Sequence, residues 1–246
     1  MRWQKTLRIG CCAARDAWRQ VDNAIMPQRC AFCGTRLDAG KLTVCAGCAA
    51  DLPWLEHACV RCAAPLPGPQ GADACCGTCQ SSPPPATFTV APLLYDFPVD
   101  AGLKALKFRR QLFYAPAFAQ LLLDALGQLR HEVDALLPVP LHWRRLAYRG
   151  YNQANELCKP VARRTGLPVI GGVARCRATA AQSGLSASAR NRNLRGAFVV
   201  RKRIVARHVL LVDDVITTGA TTRHLAQALL EHGVAKVSVA AVARAV

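Results

Sequence analysis

The sequence predicts an α/β fold with a mostly parallel sheet flanked by helices, preceded by a small cysteine-rich module. Three observations lead there. Short apolar runs alternate with helix-period segments from residue 87 onward, the pattern of strand–helix units that build parallel sheets. Nine of the thirteen cysteines lie between Cys30 and Cys79, so a stretch of different chemistry precedes the alternation. Between the two stands Ser81-Ser82-Pro83-Pro84-Pro85, whose prolines favour a stiff connection and cannot continue a helix. The chain therefore reads as a basic N-terminal segment (residues 1–29), a cysteine module (30–80), a Ser/Pro linker (81–86) and an α/β domain (87–246).

Composition bounds the function. Of 246 residues, 52% are hydrophobic and 19% charged, which supplies a packed interior and excludes a disordered chain. Thirty-two Lys and Arg against 15 Asp and Glu give a net charge of +17, which implies a polyanionic partner, nucleic acid or phosphates. Residues 81–246 hold 23 of the cations and nine of the anions, so the excess belongs mainly to the α/β part. Near the start, Gly10, Arg15, Asp16 and Arg19 interrupt any apolar run that could serve an export signal. No apolar run approaches the roughly 18 residues of a membrane span. The chain reads as cytoplasmic, a compartment where clustered cysteines point to metal more than to disulfides.

Within the module, Cys30-x2-Cys33 and Cys45-x2-Cys48 are separated by eleven residues, and Cys59-x2-Cys62 and Cys76-x2-Cys79 by thirteen. Four such knuckles supply eight thiolates, enough for two tetrahedral zinc ions. A stretch of about 50 residues can scarcely build a core without such a staple. Consecutive and alternate pairing of the knuckles both satisfy this count. Cys75 is a spare beside Cys76, and Cys11, Cys12, Cys158 and Cys176 read as free thiols.

The α/β elements follow in order. Residues 87–95 read as a strand, 101–108 and 112–130 as helices, and 135–141 as a short apolar strand. Residues 152–165 read as a helix, 169–173 as extended, 209–212 as a buried strand, 221–232 as a helix ended by Gly233, and 235–242 as a closing strand. Between Arg175 and Ala197 the pattern fades into Ser, Ala, Asn and Arg, which predicts a mobile loop.

The most informative stretch is Val209-Leu210-Leu211-Val212-Asp213-Asp214-Val215-Ile216-Thr217-Thr218-Gly219-Ala220-Thr221-Thr222. A strand entering a helix through Thr and Gly aims successive backbone N–H groups, from about Thr217 through Thr218, Gly219 and Ala220 to Thr221, at one spot that the helix dipole makes favourable for an anion. Gly219 permits close approach, and the hydroxyls of Thr217, Thr218 and Thr221 add donors. Asp213 and Asp214 sit at the carboxyl end of the strand, where open α/β sheets bind ligands. Carboxylates would repel a phosphate, so their role is to accept hydrogen bonds from sugar hydroxyls; a ribose phosphate satisfies both halves. Arg145, Arg149 and Arg190 are further candidates, because a guanidinium fork matches pyrophosphate oxygens. His142 and His208 have no such context.

This run resembles the phosphoribosyltransferase family, whose apolar strand, acidic pair and Thr-Thr-Gly-x-Thr turn recognise phosphoribosyl pyrophosphate with its Mg2+. A narrower resemblance rests on Pro138-Val139-Pro140-Leu141-His142, Arg149-Gly150-Tyr151-Asn152-Gln153, Gln182-Ser183-Gly184-Leu185, Arg190, Asn193 and Gly196-Ala197-Phe198. Together with the cysteine module, these are similar to the ComF family of competence and DNA-uptake proteins. The resemblance covers nearly the whole chain and implies a type I phosphoribosyltransferase-like fold behind zinc ribbons with consecutive cysteine pairing. It also implies a pyrophosphate loop after Pro140, a hood around Arg190, and a DNA-translocating helicase or other competence protein as partner.

Two functional readings follow. In one, an acceptor attacks the anomeric carbon while Mg2+-bound pyrophosphate leaves, which makes the chain a phosphoribosyltransferase whose acceptor the sequence does not name. In the other, the chain binds phosphoribosyl pyrophosphate and single-stranded DNA. Cations interleave with aromatics in Lys107-Phe108-Arg109-Arg110, with Phe113 and Tyr114, and again in His142-Trp143-Arg144-Arg145 with Tyr148 and Tyr151, and aromatic faces stack bases while cations track phosphates.

Overall fold

The computed structural model describes residues 28–37, 43–69, 71, 73–176 and 196–246. Two compact units divide at Asp51–Leu52.

In the first unit, Cys30 and Cys33 flank a tight turn in which the Gly34 amide donates to the Cys30 carbonyl (2.9 Å) and Gly34 takes φ +73°. Cys45 caps the short helix α1 (Ala46–Ala50), its sulfur accepting from the Cys48 amide.

The second unit, Leu52–Val246, repeats that knuckle and continues into the sheet. The Ala63 amide donates to the Cys59 carbonyl (2.8 Å), with Ala63 at φ +54° in the role of Gly34. Cys76 precedes the short helix α2 (Gly77–Ser81). The composition break at residues 81–86 does not coincide with the contact break at Asp51–Leu52, because the knuckle is stitched to the sheet by its backbone. The Thr89 amide donates to the Val60 carbonyl (2.8 Å), Leu55 to Pro92 (2.8 Å) and Leu94 to Pro53 (2.8 Å), while the Thr89 hydroxyl donates to the Arg61 carbonyl (2.7 Å).

The sheet is parallel throughout, in the order β1 (Thr89–Val90), β7 (Lys236–Arg244), β6 (His208–Ile216), β3 (Ala135–Pro138), with β2 (Leu93–Leu94) also on β7. The strand expected over 87–95 splits into β1 and β2 around Pro92, which lacks an N–H for the ladder. At the centre, Val209 to Val212 are at most 1% exposed, as a strand covered on both faces must be.

Alternation along β6 divides the core. Val209 and Leu211 face α7 (Ala220–Glu231), packing with Leu225, Ala226 and Leu229. The opposite face is covered by α4 (Tyr114–Leu126) and α6 (Gln153–Thr165), following α3 (Val99–Phe108). Two further features depart from the sequence reading. Residues 143–149 form a helix, α5 (Trp143–Arg149), capped by the His142 ring and ended by Gly150 at φ +80°. The extended segment expected at 169–173 is a single bridge from Val169 to Leu136, and the strand lies further on, as β4 (Val173–Arg175) in an antiparallel hairpin with β5 (Phe198–Val200). The polar stretch between them, with Arg190, lies outside the described residues through position 195.

Candidate anion site and metal centres

Two cysteine clusters form, Cys30 with Cys33, Cys45 and Cys48, and Cys59 with Cys62, Cys76 and Cys79, the sulfurs of each set within 4.8 Å of one another. Consecutive knuckles are thus paired. The Cys33–Cys45 and Cys62–Cys76 sulfurs are 3.7 Å apart, against about 3.8 Å for neighbouring thiolates around a tetrahedral zinc with Zn–S bonds of about 2.3 Å. All of these cysteines are free thiols, so the donor sets fit structural zinc. Burial pushes the Cys59 thiol up, yet backbone N–H groups of Cys76, Cys62 and Arg61 outweigh it and bring it to about 6, whereas burial raises Cys62 and Cys79 in the same cluster.

At the carboxyl ends of the strands, β6 enters α7 through Thr217, Thr218 and Gly219. Gly219 takes φ +72°, the left-handed conformation that glycine adopts without strain. The N–H groups of Thr217, Thr218 and Gly219 find no hydrogen-bond partner among the described residues, and the Thr217 and Thr218 side chains are exposed while Thr221 is half-buried and Ala220 buried. The Thr218 hydroxyl accepts from the Ala220 amide (3.4 Å), and the Thr222 hydroxyl closes the first turn onto the Gly219 carbonyl (3.0 Å). A cavity of about 40 Å3 separates this turn, at Thr218, Gly219 and Thr222, from Arg61 and Cys62 of the second knuckle.

Strand alternation sends the two aspartates to opposite faces of the sheet. Asp214, 3% exposed, is ion-paired with the Lys107 ammonium at the end of α3. Asp213 lies on the α7 face, and its side chain accepts from the Asp214 amide (2.9 Å). Burial pushes its carboxyl up to about 6, against the opposing pull of Lys107 and Arg175. The two carboxylates therefore do different work.

Four cations gather around them. Lys107 is brought down to about 8 by burial and by Arg149 and Arg145, although Asp213 opposes the shift. Burial and neighbouring Arg145 lower Arg149; its guanidinium lies 4.9 Å from the Phe108 ring centroid and donates to the Gln153 side chain (2.9 Å). Arg175 is lowered by burial and Arg145, against Asp213, and a bridge from β4 to His142 holds it beside the turn after β3. Among the described residues, Lys107, Arg145, Arg149 and Arg175 thus concentrate positive charge beside Asp213 and Asp214.

Sequence reasoning named Asp213, Asp214, Arg145 and Arg149, and the fold brings them together. The sequence places Lys107 in the cation–aromatic run that would follow DNA phosphates, whereas its side chain is only 17% exposed, because the last turn of α3 points it at β6. Arg175 carries no sequence signal at all; only its hairpin delivers it. Tyr151 is an anchor rather than an open stacking face, its hydroxyl donating to the Leu106 carbonyl. His142 caps α5, and buried His208 bonds the Glu132 carbonyl (2.6 Å) and the Ser238 hydroxyl (2.9 Å); both are structural.

A family model described as a double zinc ribbon domain matches residues 21–80. Across the longer chain, the sequence is 35% identical over 220 residues to DNA utilization protein YhgH of Salmonella typhimurium, covering 87% of this chain and 96% of that protein. It is 33% identical over 229 residues to competence protein F of Haemophilus influenzae, covering 88% and 97%. The chain belongs to the ComF family. The Escherichia coli YhgH protein is 40% identical over 170 residues, 67% of this chain and 75% of that one. In this ComF-family chain, no helix among the described residues is long and apolar enough to cross a membrane.

Proposed function

We propose that the chain binds phosphoribosyl pyrophosphate with Mg2+ and single-stranded DNA, and acts in DNA uptake, in company with a DNA-translocating helicase or other competence protein. The observation that carries the first half is the gathering of Lys107, Arg145, Arg149 and Arg175 beside Asp213 and Asp214, together with the open amides of the β6–α7 turn. A ligand with a phosphate, a diol and a further polyanionic group uses every part. Its 5-phosphate lies on the amides and hydroxyls of Thr217 to Thr221, its ribose hydroxyls donate to Asp213, and its Mg2+-bound pyrophosphate meets the cations. Arg190 joins them from the segment outside the described residues. In this reading the turn and strand belong to a type I phosphoribosyltransferase-like domain.

Titration gives this half a definite pH window. Asp213 accepts from hydroxyls only as a carboxylate, so affinity rises as pH passes upward through about 6. Lys107 attracts an anion only while protonated, so affinity falls as pH passes upward through about 8. Binding of phosphoribosyl pyrophosphate, followed by calorimetry from pH 5 to 9, is expected to peak between those values.

The DNA half is supported by the names of the relatives and by the surface of α5 and the α3–α4 turn. Phe108, Phe113, Trp143 and Tyr148 are exposed, at 62%, 56%, 64% and 85%, and Arg109, Arg110 and Arg144 among them are exposed as well. Such a surface stacks bases and follows phosphates without reading sequence. Log affinity for an oligothymidine strand is expected to fall linearly with log salt, with a slope of about −0.7 per phosphate contacted. Trp143→Ala and Phe113→Ala should each cost about 1–3 kcal/mol. A salt-independent affinity, or no change in either variant, would contradict a stacking and phosphate surface.

A further inference from the structure

Resting on that reading, we propose that Lys107 is the residue that selects a diphosphate-bearing ligand, and that Asp214 is the positioning residue that aims its ammonium. Lys107 belongs to none of the recognised loops; it sits in the last turn of α3. That helix is fixed from both sides, Leu103 and Leu106 being fully buried and the Tyr151 hydroxyl bonding the Leu106 carbonyl. The side chain therefore reaches the end of β6 from a rigid support. There its ammonium meets Asp214, buried to 3% exposure.

An ammonium has three N–H donors. Asp214 meets it as an ion pair and holds it at the end of β6, with donors left for a ligand. The groups facing Lys107 from the remaining elements are Asp213 of β6 and Arg145 and Arg149 of α5. A buried cation placed among guanidiniums is unfavourable in the protein alone and favourable around a polyanion. The β6–α7 turn offers its own amides to a monophosphate, and Lys107, carried by α3, adds a charge that those amides do not supply. Lys107 thus distinguishes a ligand carrying pyrophosphate from one carrying only a ribose phosphate.

The test compares calorimetric binding of Mg2+–pyrophosphate and of ribose 5-phosphate to the wild type, Lys107→Arg, and the double variant Lys107→Met/Asp214→Asn. The double variant removes both buried charges together, so no unpaired carboxylate is left to unfold the chain. It is expected to lose pyrophosphate affinity by about 10- to 100-fold, the worth of a charge-assisted bond, while ribose 5-phosphate binding changes less than about threefold. Lys107→Arg should retain pyrophosphate binding and lose its decline above about pH 8, since a guanidinium does not titrate there. Wild-type pyrophosphate affinity in the double variant, or an equal loss for both ligands, would overturn the assignment while leaving the proposed site standing. A wild-type chain that binds neither ligand would overturn both.

Discussion

A Cys59→Ser chain is expected to hold one zinc ion where the wild type holds two, and to lose more than about 3 kcal/mol of stability in the Leu52–Val246 unit. Cys59 is fully buried, and its cluster has four thiolates at tetrahedral spacing. Structural zinc contributes about 10–16 kcal/mol to folding when its ligands are brought together, so a three-thiolate site forfeits a sizeable share. The residues carried by this knuckle supply the hydrogen bonds from Thr89 to Val60 and Arg61, and Arg61 itself donates to the Thr87 carbonyl (3.1 Å). Releasing the metal therefore frees the edge of the sheet at β1 and opens the wall facing Thr218 and Gly219. Zinc content by mass spectrometry and the thermal transition of the sheet read the two effects. Two zinc ions in Cys59→Ser, or an unchanged transition, would refute the structural role.

Asp213→Asn should lower affinity for phosphoribosyl pyrophosphate by about 100-fold and leave the chain at least as stable as the wild type at pH 8. The two effects have one origin. The carboxylate is buried deeply enough that its pKa is raised to about 6. Because the folded value lies above the unfolded one, the group favours the folded state at low pH, and that contribution is lost as pH climbs from about 4 to about 6. Asparagine is neutral throughout and removes this loss. The amide oxygen still accepts from a hydroxyl, so the exchange of charged for neutral hydrogen bonds costs about 1.5–3 kcal/mol in all and removes the acidic limb of the binding profile. Calorimetry and thermal melts at pH 5 and pH 8 measure both. Undiminished affinity in Asp213→Asn would remove Asp213 from the site.

How much of this is visible in the sequence depends on the range of the forces involved. The zinc ligands are legible because C-x2-C spacing is itself the geometry of a knuckle. Strand β6 and its turn are legible because four consecutive apolar residues, two acids and Thr-Thr-Gly each act over a few positions. Helix α5 was hidden, since seven residues rich in Arg with exposed Trp143 and Tyr148 have no apolar stripe to announce them. The β4–β5 hairpin was hidden because its strands have three residues each, and those of β4 are only half-buried. Lys107 and Arg175 were out of reach for a stronger reason. Their place in the site is decided by α3 and by a strand pairing distant in sequence, and the pattern Leu-Lys-Phe-Arg-Arg fits a solvated turn as well as a buried ammonium. The same tertiary placement separates the tasks of Asp213 and Asp214, adjacent in sequence and opposed across the sheet.

Calorimetric titration of the zinc-loaded wild-type chain with phosphoribosyl pyrophosphate and Mg2+ at pH 7 decides whether the end of β6 holds this ligand. Saturable binding with one ligand per chain, weakened about 100-fold in Asp213→Asn and competed by free pyrophosphate, is the predicted result. No heat of binding, or binding that survives Asp213→Asn unchanged, would contradict it.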